Sequence, residues 1–340
     1  MKVAFCMTVL VSTCVMYYTK LGADVPTITC RWVGDSVVHT SANKHWNERI
    51  IFKLYDQEFL ETHRLPAEPI PFRNGDQAVE GTVLQGLLEE LILEIKQGNK
   101  EFKHFVILRD RTFNAKLGAG CLTLRCKDYP FVVKVFIETP YSFINPWKMG
   151  WEAYILFLSG KGINRHLAGF TRIANLLEIK QLLATSPHWS SLIDTPRKWF
   201  WTPADNRQIE ISGKHFGSSG EQSTVIPSIY CIVDDAIDAK YKPVSSWKDM
   251  FELTTEGRAH MQHQGEMTLE LCNYLGFSVD PNIDNFLYET TTNKTVIIDT
   301  EDYRLLIGFI PTQPIKGYLA LTMAVVKQCI KNALWPAQDA

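Results

Sequence analysis

The chain has 340 residues, of which 46% are hydrophobic and 21% charged, with a formal net charge of −2. That length accommodates two lobes or domains around a sizeable core, and the composition excludes wholesale disorder. Lys and Arg together number 35 against 37 Asp and Glu; with no basic excess or basic run, no nucleic acid partner is expected.

Met1-Lys2 is followed by an uncharged apolar run from Val3 to Tyr18, then Lys20 and Leu21-Gly-Ala23. A positive start, an apolar stretch and a small-residue exit have the form of a secretory signal peptide cleaved after Ala23, which would make the chain secreted. The run falls short of the about 20 residues of a bilayer span. An uncleaved anchor giving membrane association, and a core element of a cytoplasmic chain, are the alternatives it leaves open. Residues 1–23 therefore read as signal peptide or signal anchor. Beyond Cys6 and Cys14, the cysteines Cys30, Cys121, Cys126, Cys231, Cys272 and Cys329 are widely spaced within apolar runs and read as buried thiols. No C-x-x-C pair suggests a zinc ribbon or redox site. Asn293-Lys-Thr295 is a glycosylation sequon, relevant if the chain enters a eukaryotic secretory pathway.

Residues 24–103 read as an N-terminal extension packing on the core. Short strands are expected at Asp35–His39 and Arg49–Lys53, a loop over Leu65–Pro71 and a turn at Asn74-Gly75. In Gly81–Lys96 the apolar residues Val83, Leu84, Leu87, Leu88, Leu91 and Ile95 recur at helical spacing, and Gly98-Asn99 stops the helix. Strands follow at His104–Leu108, Leu122–Cys126 and Phe131–Phe136. The first two are separated by the small-residue turn Lys116-Leu-Gly118-Ala-Gly120-Cys-Leu-Thr123, the last two by Lys127-Asp-Tyr-Pro130. Gly150–Leu158 and Ile173–Leu183 read as helices, and the aromatic residues Trp189, Trp199, Phe200 and Trp201 as packing groups. Val225–Asp235 reads as one strand meeting a polar break, and Glu256–Leu275 as a helix. His260 and His263 on that helix lack a third metal ligand and read as surface residues.

Chemistry concentrates in two blocks. In the first, Gly118 and Gly120 would let backbone amides approach phosphates, and Lys134, flanked by β-branched and aromatic residues, would aim an ammonium at them from an apolar sheet. A buried lysine needs a carboxylate; Glu152 is the leading candidate, with Glu138 and Glu178 behind it. The second block is Asp280-Pro-Asn-Ile-Asp-Asn285, followed by Val296-Ile-Ile-Asp299-Thr-Glu301. Asp280 could take or orient a hydroxyl proton, and Asn285 and Asp299 could offer oxygens to magnesium. The blander alternatives are an ordinary polar turn for Asp280–Asn285 and a capping role for Asp299.

Taken in order, the glycine turn, strand lysine, helical glutamate, D-x4-N loop and following strand-D-x-E resemble the protein-kinase-like superfamily. The likeness is closer to its small-molecule branch of aminoglycoside, choline and sugar phosphotransferases, whose habit of an acidic residue two places after the metal aspartate is matched by Glu301. It spans roughly Phe105 to Arg304. Ser278 stands where that superfamily usually has a histidine, and Thr123 where it has a third glycine. The resemblance implies a bilobal α+β fold, with an antiparallel-sheet N-lobe over 104–235, an insert at about 171–224, and a reduced helical C-lobe over 236–340. It implies ATP and Mg2+ as cofactors, with Asp280 and Lys134 catalytic, and with Asn285, Asp299 and Glu301 holding metal. Gly118, Gly120, Lys134, Glu152 and the backbone of Ile232, Val233 and Asp234 would hold the nucleotide. The acceptor is an unidentified hydroxyl on a small molecule, sugar or protein. The competing expectation is a catalytically silent pseudokinase serving as an exported or membrane-anchored binding module. The serine-hydrolase G-x-S-x-G and the zinc-protease H-E-x-x-H are absent from the sequence.

Overall fold

A computed structural model of the chain describes residues 27–42, 55–110, 113, 120–144, 164–214, 220–240, 255–304 and 313–334. It has a mixed α+β fold. In chain order come strands β1 (Thr27–Trp32) and β2 (His39–Ala42), helix α1 (Gln57–Thr62), the hairpin β3 (Pro69–Pro71) and β4 (Ala78–Glu80), and helix α2 (Gly81–Lys96). Strands β5 (Phe105–Arg109), β6 (Cys121–Cys126) and β7 (Phe131–Ile137) lead to helices α3 (Pro140–Ile144), α4 (Asn164–Ala184) and α5 (Pro187–Leu192). Then follow β8 (Ile193–Asp194), β9 (Lys198–Trp201), β10 (Gln208–Lys214), β11 (Gln222–Pro227) and β12 (Ile229–Asp235). Helix α6 (Thr255–Tyr274), a 3-10 turn (Ile283–Asn285), β13 (Phe286–Tyr288), β14 (Thr295–Ile297) and α7 (Tyr318–Leu334) complete the order.

The central sheet has five antiparallel strands in the order β5-β6-β7-β12-β9. Because side chains alternate along a strand, its two faces carry different residues. Leu122, Leu124, Val133, Val135, Cys231 and Val233 pack against Leu84, Leu88, Leu91 and Ile95, the apolar stripe of α2. On the opposite face Phe136, Phe200, Tyr230 and Ile232 meet Phe170 and Ile173 of α4. Ile28, Cys30, Ile209 and Ile211 of a second sheet, ordered β11-β10-β1-β2, close this core. A third core joins Ile179 and Leu183 of α4 to Leu271, Cys272 and Leu275 near the end of α6 and to Phe286 and Ile297 of β13 and β14. Helix α4 thus serves two cores. Its Gly169 lies against the Tyr230 ring, where a Cβ would collide; the close approach accounts for a glycine in a helix, which otherwise costs about 1 kcal/mol.

The helix expected at Gly81–Lys96 is found with those ends, and the three strands after it lie within a residue or two of expectation. Three readings need correction. The strand expected over Val225–Asp235 is two strands in different sheets, parted at Ser228, whose N–H bonds Arg207 O at 2.9 Å. Continuous apolar character hid the crossing. The loop expected over Leu65–Pro71 ends in a strand, β3; residues 171–224 supply β9 to the central sheet and β10 and β11 to the second, which 24–103 complete through β1 and β2. Instead of one strand at Asp35–His39, the chain turns there between β1 and β2, with Gly34 at φ +86°, a conformation that favours glycine.

Arg49–Lys53, Gly150–Leu158 and the 1–23 segment lie outside the described residues. Among the described residues no helix is long and apolar enough to cross a membrane. Cys30, Cys126, Cys231 and Cys272 are buried free thiols, and Cys121 is partly exposed.

Candidate functional site

The period-2 alternation of the sheet sets Lys134 on the face of β7 that also carries Phe136, toward α4. Asp234 of β12 and Lys198 of β9 share that face and are direct cross-strand partners. Lys198 Nζ donates to Asp234 Oδ2 at 2.6 Å and to Ile298 O at 3.0 Å. Lys134 Nζ donates to Ile298 O at 3.3 Å and lies 3.6 Å from Asp299 Oδ2 and 3.8 Å from Asp234 Oδ2. Burial pulls Lys134 down to about 8, helped by the Arg172 charge and opposed by Asp234. Burial likewise brings Lys198 down to about 7, against the pull of Asp234. Charge removed from water destabilises the protonated form unless a carboxylate offsets it; here Asp234 is shared by both lysines, and Asp299 lies near Lys134 as well.

Helix α4 closes the site from the other side. Arg172 donates through one terminal nitrogen to Asp299 Oδ1 and through the other to Glu301 Oε2 at 2.7 Å. One turn on, Asn175 donates to both Ser278 O at 2.9 Å and Thr300 O at 3.0 Å. Thr300 Oγ1 returns a bond to Arg172 O at 2.6 Å. A single helical face therefore pins the segment before Asp280 to the segment after Asp299. Tyr303 N–H adds a bond to Ser278 O at 3.1 Å, so that carbonyl receives two donors.

Asp280 accepts Asn282 N–H at 3.1 Å, and Asn285 Nδ2 donates to the Asp280 carbonyl at 3.2 Å. Burial raises the Asp280 carboxyl, with the Asn282 and Asn285 hydrogen bonds working against it. Asn285 O accepts Ile298 N–H at 2.9 Å, which fastens this loop to the end of β14 one residue before Asp299. Of the residues singled out in the sequence, Lys134, Asp299 and Glu301 are thus brought together around Arg172, and Asp280 and Asn285 are joined to them through the backbone.

The remaining expectations divide. Gly120 lies at φ +98° just before β6, so the glycine turn ends there, and Thr123 is a strand residue paired with Lys134. Gly118 and Glu152 lie outside the described residues. Glu178 pairs with Arg304 at 3.0 Å, whereas the carboxylates near Lys134 are Asp234 and Asp299. The backbone of Ile232, Val233 and Asp234 does not form a free edge for an adenine: β12 is paired on one side with β7 and on the other with β9, so its amides and carbonyls are spent in the two ladders. Asp234 enters the site through its side chain instead.

Arg172, Asn175 and Lys198 were missed by sequence reasoning. Lys198 carried the signal that identified Lys134, a lysine beside bulky aromatic residues in a strand. Arg172 and Asn175 stand three apart on a helix read as starting at Ile173, one residue too late for the pair to be seen.

Carboxylates and a carboxamide are suitable magnesium ligands, yet Asp299 and Glu301 are already engaged by Arg172, and Asp299 is also approached by Lys134. Among the described residues no group of three or more His, Cys, Asp or Glu side chains is placed to hold a metal. As arranged, the acidic pair does not fit a divalent cation. The chain matches no family model, no curated protein and no solved structure.

Proposed function

We propose that this chain is a kinase-like phosphotransferase that binds a nucleoside triphosphate between the Lys134 face of the central sheet and the Asp280–Asn285 loop, and acts on a hydroxyl acceptor. The observation that carries this reading is the meeting of Lys134, from the third strand of the five-stranded sheet, with Asp299, at the end of the β14 strand to which the Asp280 loop is bonded. In phosphoryl transfer, charge spreads over the oxygens of the transferred group, and the protein's work is positioning and neutralisation. Lys134, Lys198 and Arg172 supply three nitrogen donors for phosphate oxygens. Asp280 orients the acceptor hydroxyl and receives its proton as the oxygen bonds to phosphorus and the nucleoside diphosphate departs. A carboxyl raised by burial is a better proton acceptor at neutral pH than an ordinary one.

A second reading, a pseudokinase that binds nucleotide without turning it over, is favoured by the engagement of both Asp299 and Glu301 with Arg172. Thermal stabilisation by ATP reports binding, since a ligand held only by the folded chain raises its melting point. ATP turnover that falls by about 10²-fold or more in Asp280→Asn supports transfer. Binding without turnover selects the second reading, and absence of both rejects the two together.

A further inference from the structure

We propose that Arg172 is a built-in cation standing between Asp299 and Glu301 in place of a divalent metal, so that these carboxylates accept a free divalent ion only after Arg172 has withdrawn. The proposal rests on the phosphotransfer reading for the purpose of the site and names what controls its acidic pair. Its geometry is specific. One guanidinium nitrogen meets each carboxylate, and Glu301 N–H donates to Asp299 Oδ1 at 3.2 Å, which holds the two acids in one turn. The guanidinium carbon sits 5.6 Å from the centre of the Phe136 ring. Arg172 is only 5% exposed, so water competes poorly for it.

A second observation shows that this seat is incomplete. Arg172 Nε is buried with no hydrogen-bond partner, and so is Asp234 Oδ1 on the sheet side of the cluster. Buried polar atoms are normally paired. A guanidinium with one donor unused is ready to turn toward an incoming oxygen anion, such as a phosphate, which pairs with such a fork bidentately. Departure of the guanidinium would leave two carboxylates adjoining, with Lys134, 3.6 Å from Asp299 Oδ2, as the cation that stays; adjoining carboxylates are the donor chemistry that a hard divalent ion takes. Arg172 and the metal are therefore competitors for one place, and phosphate is the agent that shifts the competition.

The test uses Mn2+ as the probe on the full chain without nucleotide, with free and bound ion followed by electron paramagnetic resonance. The native chain is expected to bind Mn2+ weakly, Arg172→Gln to bind it about tenfold or more tightly, and Arg172→Gln combined with Asp299→Asn to lose that gain. Arg172→Lys keeps a cation but can bridge only one carboxylate; it is expected to fall between, and carries the comparison should the Gln variant not fold. Equal Mn2+ affinity in native and Arg172 variants overturns the proposal, as does a gain that survives Asp299→Asn or no gain in any variant. ATP stabilisation in the presence of a chelator is read separately. A Mn2+ gain without any ATP binding sinks the phosphotransfer reading and leaves the competition between Arg172 and metal standing.

Discussion

Arg73 and Arg172 each join two carboxylates from distant segments, and they differ in completeness. Arg73, following β3, donates through Nε and one terminal nitrogen to Glu289 at 2.8 and 3.0 Å, to Asp194 at 2.6 Å, and through its other nitrogen to Thr195 O at 3.0 Å. Glu289, with 0% exposure, also receives Asn74 and Thr292. Every guanidinium nitrogen of Arg73 is used. Arg172 meets a similar pair of acids but leaves Nε bare. A fully satisfied network has nothing to gain by rearranging, whereas a partly satisfied one has a partner still to find. The first junction is a brace between the β3–β4 hairpin and the β13–β14 hairpin; the second leaves a donor unspent.

The sharpest way to break this contrast is truncation. Arg73→Ala strands Glu289 without its cation and is expected to cost about 3–5 kcal/mol in urea unfolding. Arg172→Ala exposes acids whose side chains are already 27% and 19% accessible, and is expected to cost about 1–2 kcal/mol. Equal costs would erase the distinction. Asn175→Ala removes the donor shared by Ser278 O and Thr300 O; a loss of about 1–3 kcal/mol is expected, together with slower ATP turnover as the Asp280 and Asp299 segments lose register. Unchanged turnover would show that Asn175 supports the fold alone. The smallest effect is a pH dependence. Lys198 is held at about 7 in the folded chain against a reference of 10.5, so between these values the unfolded chain binds a proton that the folded chain lacks. Stability of the native chain relative to Lys198→Met should therefore rise as pH increases from about 7 toward 10. Urea midpoints of both proteins at pH 7 and pH 9 check the sign.

Local pattern carried the sequence reading where burial is periodic. The α2 stripe and strands β6 and β7 were legible because each sets one apolar face, or both, against a core. Lys134, Asp299 and Glu301 stood out in the sequence because charged side chains interrupt or follow apolar strands. What escaped were relations between distant segments. Nothing in Pro227-Ser228 announces that the chain changes sheets there, and nothing in Arg172 or Lys198 alone announces that both meet the β14 end, 127 residues from Arg172 and 100 residues from Lys198. The pairing of Ile232–Asp234 on both sides escaped for the same reason: the length of a strand can be read from apolar residues, but not whether it has one neighbour or two.

Helix α4 has Phe170 and Ile173 in the core beneath the central sheet and Ile179 and Leu183 in the core around α6. It runs through the molecule like an axle seated in two bearings. Loss of either hydrophobic cluster removes support from the shaft on which the other packs, so heat is expected to dismantle both in one transition.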